Sequence, residues 1–195
     1  MLGPAGIALA ALGTLTACQQ QAPPPQVIEV PVEVPVEVPV EAAPCDLPTL
    51  RSASQFLAEA WAVPDAAYQV GEPLSLQMRV GAASYMNVFH VSTSCKVTRL
   101  LHNQPMAAAE IVDFPLAGSG IEMIVKPPAG EEAFYFIATR EKIDVLAAAD
   151  LLGSGDIASL DLSPAEFYTR IEQVTGRINP NDLSTTTLKT TVVGN

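Results

Sequence analysis

The stretch Leu74-Ser75-Leu76-Gln77-Met78-Arg79-Val80 alternates one apolar with one polar side chain from end to end. Successive side chains of an extended chain point to opposite faces, so this is a strand with one face in a core and the other in water. A second stretch, Ala133-Phe134-Tyr135-Phe136-Ile137-Ala138, has no polar face. It reads as a central strand covered on both sides. Around these two lie Tyr85 to Val91, Val97 to Leu101 and Gly120 to Lys126 as further strands. The turn-formers Ser92-Thr93-Ser94 and Pro127-Pro128-Ala129-Gly130 separate them.

Working outward, Ser163-Pro164-Ala165-Glu166 is a capping box with proline at the first helical position, followed by Phe167, Ile171 and Val174 on one face. Gly176 is the natural stop, and the Thr- and Val-rich Leu183 to Val193 returns as a last strand. On the other side, Asp46-Leu47-Pro48 can start a helix. Leu50, Ala53, Phe56, Leu57, Ala60 and Trp61 recur at helical spacing before Val63-Pro64-Asp65 ends it. The expected fold is mainly β, an antiparallel β-sandwich-like domain over 45–195 with flanking helices.

The first 44 residues are of another kind. From Gly3 to Leu15 the chain is mostly Ala, Gly, Leu and Ile, then turns abruptly to Gln19-Gln20-Gln21. That is the length of the apolar region of an export signal and too short for a span of roughly 20 apolar residues. Leu15-Thr16-Ala17-Cys18 resembles a bacterial lipobox, in which small residues before the cysteine fit the signal peptidase and the thiol receives diacylglycerol. The resemblance implies a signal peptide over 1–17 and a lipid on Cys18. No Lys or Arg precedes the apolar run, a departure from the usual signal. Three acyl chains, at ~0.8 kcal/mol per buried methylene, would make the anchor effectively permanent. Gln19 after the cysteine favours the outer membrane by the sorting rule of enteric lipoproteins, with the domain facing the periplasm.

Residues Glu29 to Glu41 repeat Glu-Val-Pro-Val after Pro23-Pro24-Pro25. Pro31, Pro35 and Pro39 fix φ and remove donors, so 18–44 is expected to be an extended, disordered tether that can reach on the order of 80 Å. The net charge is −11, and Glu29, Glu33, Glu37 and Glu41 of the tether supply part of it. The ten Lys and Arg are scattered singly, which excludes a phosphate-binding stripe and hence nucleic acid.

Tyr68-Gln69-Val70-Gly71-Glu72-Pro73-Leu74, Tyr85-Met86-Asn87-Val88-Phe89, Lys96-Val97-Thr98-Arg99-Leu100-Leu101-His102-Asn103 and Glu131-Glu132-Ala133-Phe134-Tyr135-Phe136-Ile137-Ala138-Thr139 are similar to domain-of-unknown-function family 4384. The likeness runs from 68 to about 146. Three positions depart from the family pattern: Leu101-His102 stands where Phe-Pro is usual, Cys95 where Gly is usual, and Gly130-Glu131-Glu132 replaces Gly-Thr-Glu. The family occurs in exported bacterial proteins beside kinase, protease or secretion-associated modules. The resemblance implies no activity and no catalytic residue.

The residues themselves offer no catalytic constellation. Gly118-Ser119-Gly120 and Gly153-Ser154-Gly155 lack nucleophile-elbow spacing and read as turns. His90 and His102 have no local partner motif for a triad or a zinc site and read as core or rim residues. Glu131-Glu132 reads as a solvated turn, its two carboxylates on opposite faces. No catalytic, cofactor-binding or metal-ligating residue is assigned. The leading expectation is a non-catalytic envelope module binding a protein partner, an accessory of a secretion or envelope complex. A glycan- or peptidoglycan-binding module is the alternative, for which Trp61, Tyr68, Tyr85, Tyr135 and Tyr168 are few and core-like, and a hydrolase is third. With Cys18 set aside, Cys45 and Cys95 remain as an even pair in an oxidising compartment, where a disulfide persists. The competing reading is two free thiols, Cys95 a small buried residue beside its strand.

Overall fold

In the computed structural model, residues 45–50, 56–63, 67–152 and 157–194 are described. The expected signal peptide, Cys18, the expected tether and Gly153-Ser154-Gly155 lie outside these residues. In chain order the strands are β1 (Ala58–Val63), β2 (Ala67–Gln69), β3 (Ser75–Val80), β4 (Ser84–Val91), β5 (Val97–Met106), β6 (Ile111–Phe114), β7 (Gly130–Thr139), β8 (Leu151–Leu152), β9 (Ala158–Leu160) and β10 (Leu183–Val193). The helix α1 (Pro164–Thr175) lies between β9 and β10. Short 3-10 turns at Ala148–Asp150 and Pro180–Asp182 are the other helical elements of the described residues.

The strands form a three-stranded sheet, β1-β3-β6, and a seven-stranded sheet, β2-β10-β7-β4-β5-β9-β8. Pairing is antiparallel except between β2 and β10, where Tyr68 lies beside Val192 in parallel register. The fold is mainly β and sandwich-like. The alternating stretch 74–80 and the apolar stretch 133–138 occupy the places their patterns require: Leu76, Met78 and Val80 of β3 face inward, and β7 lies between β10 and β4 with Ala133 to Ala138 fully buried.

Strand β7 explains why the domain has three layers. Its even residues Phe134, Phe136 and Ala138 join Leu76, Met78, Met86 and Val88 in the core between the sheets. Its odd residues Ala133, Tyr135 and Ile137 join Phe89, Phe167 and Ile171 in a second core beneath α1. Period 2 on an all-apolar strand therefore supplies one sheet with two hydrophobic faces, each needing a cover. In the second core the Tyr135 hydroxyl donates to the Pro48 carbonyl at 3.1 Å and accepts from the Tyr168 hydroxyl. Burial pushes the Tyr135 phenol up to about 12 and raises Tyr168 as well.

Helix α1 starts as its capping box dictates. The Ser163 hydroxyl accepts from the Glu166 N–H at 3.3 Å, and the Glu166 carboxylate accepts from the Ser163 N–H at 2.9 Å. Gly176 ends it, in right-handed rather than left-handed conformation, its N–H bonded to the Glu172 carbonyl. A Cβ there would meet that oxygen at 2.8 Å, so the glycine serves close approach.

Three expectations are corrected. The segment expected as a helix ending near Trp61 is strand β1 over Ala58–Val63, paired with β3; residues 51–55 of the expected helix lie outside those described. Ala58, Ala60 and Ala62 face the core while Glu59 and Trp61 face out, and closely spaced alanines fit a period of 2 as well as one of 3.6. Gly120 to Lys126 is not a strand but an extended segment with one bridge, Pro73 to Ile124, flanked by the Leu74 N–H to Met123 carbonyl and Val125 N–H to Glu72 carbonyl bonds. Among the described residues the flanking helices reduce to one α-helix. Strands β2, β6, β8 and β9 were not anticipated; each is four residues or fewer, too short for periodicity to declare.

Candidate functional site

The expected site cysteines are joined: Cys45 and Cys95 form a disulfide with Cα atoms 5.5 Å apart. Cys95 sits in the turn between β4 and β5 with φ +60°, the left-handed region that disfavours a side chain. Its N–H donates to the Ser92 carbonyl at 2.9 Å, and the Ser92 N–H donates to the Lys96 carbonyl at 3.0 Å. The bridge thus pins this turn to the point where the chain enters the domain.

The same turn forms one wall of a cleft of about 540 Å³. Ser92, Ser94 and Lys96 come from the turn, and Glu122, Ile124 and Lys126 from the extended segment opposite. At its floor the Glu132 carboxylate is buried, bonded to His90 Nε2 at 3.0 Å and to the Thr93 N–H at 3.4 Å. His90 stacks on Phe134 with ring centroids 4.6 Å apart. Glu132 is therefore not the solvated turn residue expected: β7 begins at Gly130 and aims it inward, while Glu131 faces water. Alternation was the right rule for the pair; the missing knowledge was that His90, 42 residues away, lies beside one of them.

No nucleophile is coupled to this pair among the described residues. Ser92 Oγ and Ser94 Oγ hydrogen-bond each other at 3.0 Å, and Ser92 Oγ accepts from the Lys96 N–H. His102 lies apart, with Nε2 3.2 Å from Asp144 Oδ1 on the exposed rim. Arg140 and Lys142 instead lie over aromatic rings, those of Phe56 and Tyr85. Of the aromatics considered for a glycan platform, Tyr68, Tyr135 and Tyr168 are buried. Trp61 is half-buried on the outer face of β1, its indole N–H donating to Gln77 Oε1 at 2.8 Å. None of them lines the cleft.

With the strands and the cleft placed, the chain can be compared with known proteins. Residues 67–142 match the family model described as Domain of unknown function (DUF4384). The chain is similar to DUF4384 over that stretch. No curated protein and no solved structure matches it. The DUF4384-like segment runs from β2 through β7 and holds His90, Cys95 and Glu132, but neither Cys45, α1 nor β10. It also holds Asn103, which sequence reasoning passed over although it closes one of the family-like motifs. Asn103 has φ +49° and ties two distant segments together: its Oδ1 accepts from the Ile143 N–H (3.1 Å) and Asn87 Nδ2 (3.3 Å). Its Nδ2 donates to the Ile143 carbonyl at 2.9 Å, and its N–H to Asn87 Oδ1 at 3.1 Å. This network fixes the register shift of β4 against β5 near Val88. Cys95, the position where the resemblance implies glycine, has φ +60°, a conformation that glycine adopts without strain.

Proposed function

We propose that this chain is a membrane-anchored envelope lipoprotein whose β-rich module binds a protein partner without catalysis, as an accessory of a secretion or envelope complex. The lipid on Cys18 anchors it in the outer membrane, and the tether holds the module out in the periplasm. The single observation that carries the binding reading is the cleft, in which a part-buried His90–Glu132 pair is coupled to no serine among the described residues and instead holds the Thr93 backbone. A hydrolytic site needs its base within reach of a nucleophile; this pair is spent on holding the Thr93 backbone.

The test is crosslinking in cells with a photoreactive residue at Ser94, on the cleft wall, and separately at Thr169, on the exposed side of α1. A discrete adduct from Ser94 and none from Thr169 is expected. No adduct from Ser94, or the same adduct from both, would sink the reading.

A further inference from the structure

The wall of the cleft formed by residues 122–127 is an unfinished sheet edge. The Leu74 N–H donates to the Met123 carbonyl, the Val125 N–H to the Glu72 carbonyl, and the Gly71 N–H to the Val125 carbonyl. In this antiparallel register Pro73 and Ile124 face each other as a pair without mutual hydrogen bonds, which turns the N–H and C=O of Ile124 to the far edge. There they have no hydrogen-bond partner among the described residues. The Ile124 side chain is 41% exposed. An extended, unpaired edge with an exposed apolar side chain is a template for another strand.

Charge at the same cleft sets the kind of strand. Glu132 is occupied by His90 and the Thr93 N–H, so the uncommitted charges are Lys96, Lys126 and Glu122, two positive to one negative in a chain of net charge −11. Neither lysine ammonium makes an ion pair among the described residues. The hydroxyls of Ser94 and Thr98 stand beside them as donors. The apolar part of the lining, with Leu74 and Met123, suits aliphatic side chains, and no Trp, Tyr or Phe lines it for a sugar face to stack on.

From these observations we infer that the cleft captures an extended peptide end: the peptide adds as a strand to the Ile124 edge, and its terminal carboxylate is held by Lys96 and Lys126. This names the chemistry of the partner and rests on the partner-binding reading above. The disulfide matters to it because Cys95 holds the turn that presents Ser94 and Lys96.

Fluorescence anisotropy of a fluorescein-labelled pentapeptide of alternating valine and threonine, titrated with the full-length protein in detergent micelles, tests the inference. The peptide with a free carboxylate should bind at least tenfold tighter than the same peptide ending in a carboxamide. Lys96→Ala combined with Lys126→Ala, both exposed positions, should erase that difference. Ile124→Pro, which removes the edge N–H, should weaken both peptides tenfold or more, with a thermal melt confirming that each variant is folded. Equal binding of acid and amide, undiminished binding by either folded variant, or tighter binding of a glucuronate oligosaccharide than of the peptide would overturn it. A partner crosslinked from Ser94 without peptide-acid binding overturns this inference alone. Peptide binding without such a partner removes the cellular reading and leaves the cleft chemistry standing.

Discussion

Cys95 combines two demands that a single residue rarely meets. At φ +60° a non-glycine residue costs roughly 1–2 kcal/mol, and the bridge to Cys45 offsets it by closing a loop of 50 residues, worth about 4 kcal/mol in the chain-entropy model. The two effects separate in a Cys45→Ala background. There Cys95→Gly is expected to be more stable than Cys95→Ala by about 1 kcal/mol in urea melts, since only glycine accepts the turn without strain. Equal stability would mean that the turn relaxes once the bridge is gone. Asn103 is the second residue on which much depends. Asn103→Ala removes the acceptor of Asn87 Nδ2 and the side-chain partners of both Ile143 backbone groups, while the backbone N–H of residue 103 still reaches Asn87 Oδ1, a loss of about 2–3 kcal/mol in the same assay. An Asn103→Ala protein as stable as the parent would show that water replaces the network.

Among the elements, α1 carries a prediction with a definite sign in pH. The Ser163 hydroxyl and then the Ser163 backbone N–H hold the Glu166 carboxyl below its ordinary 4.5. A carboxylate whose folded pKa lies below its unfolded one stabilises the fold above the unfolded value, and that contribution fades as pH falls through the folded one. The melting temperature should therefore fall as pH drops below 4.5, with a shallower slope in Glu166→Gln. Identical slopes would exclude the cap as a source. At neutral pH Ser163→Ala should cost about 1 kcal/mol, the usual value of an N-cap. Gly176→Ala should cost stability too, because the Glu172 carbonyl at 2.8 Å is backbone and cannot swing aside.

At the scale of the whole molecule, the proposed anchor and tether are expected to be separable from the fold. The tether sequence has nothing to bury, whereas the domain from Cys45 onward has two cores of its own. Deleting Gln19 to Pro44 should leave the melting temperature of the domain unchanged, and a large drop would mean that the repeat packs on it. Metabolic labelling with a fatty-acid analogue should mark the parent and not Cys18→Ser. A labelled variant would remove the anchor.

What the sequence by itself determined was everything carried by short-range physics. Alternation at 74–80 defined β3, an apolar run defined β7, and the capping box at Ser163 defined α1 with its first turn. Cysteine parity pointed to the Cys45–Cys95 bridge. Each of these is decided by neighbours within a few residues or by counting. Tertiary structure decided the rest. Ala58 to Val63 became a strand because β3 offers it an edge, against a pattern that alanine leaves ambiguous between the two periods. Ile111 to Phe114 became a strand for the same reason on the other side of β3. The cleft was illegible because its parts, His90, the turn at 92–96, the segment at 122–127 and Glu132, are brought together only by strand pairing across the large sheet and the packing of residues 71–74 against 123–125. Hydrogen bonds between residues dozens of positions apart leave no local trace in composition or period, so only the folded chain could disclose them.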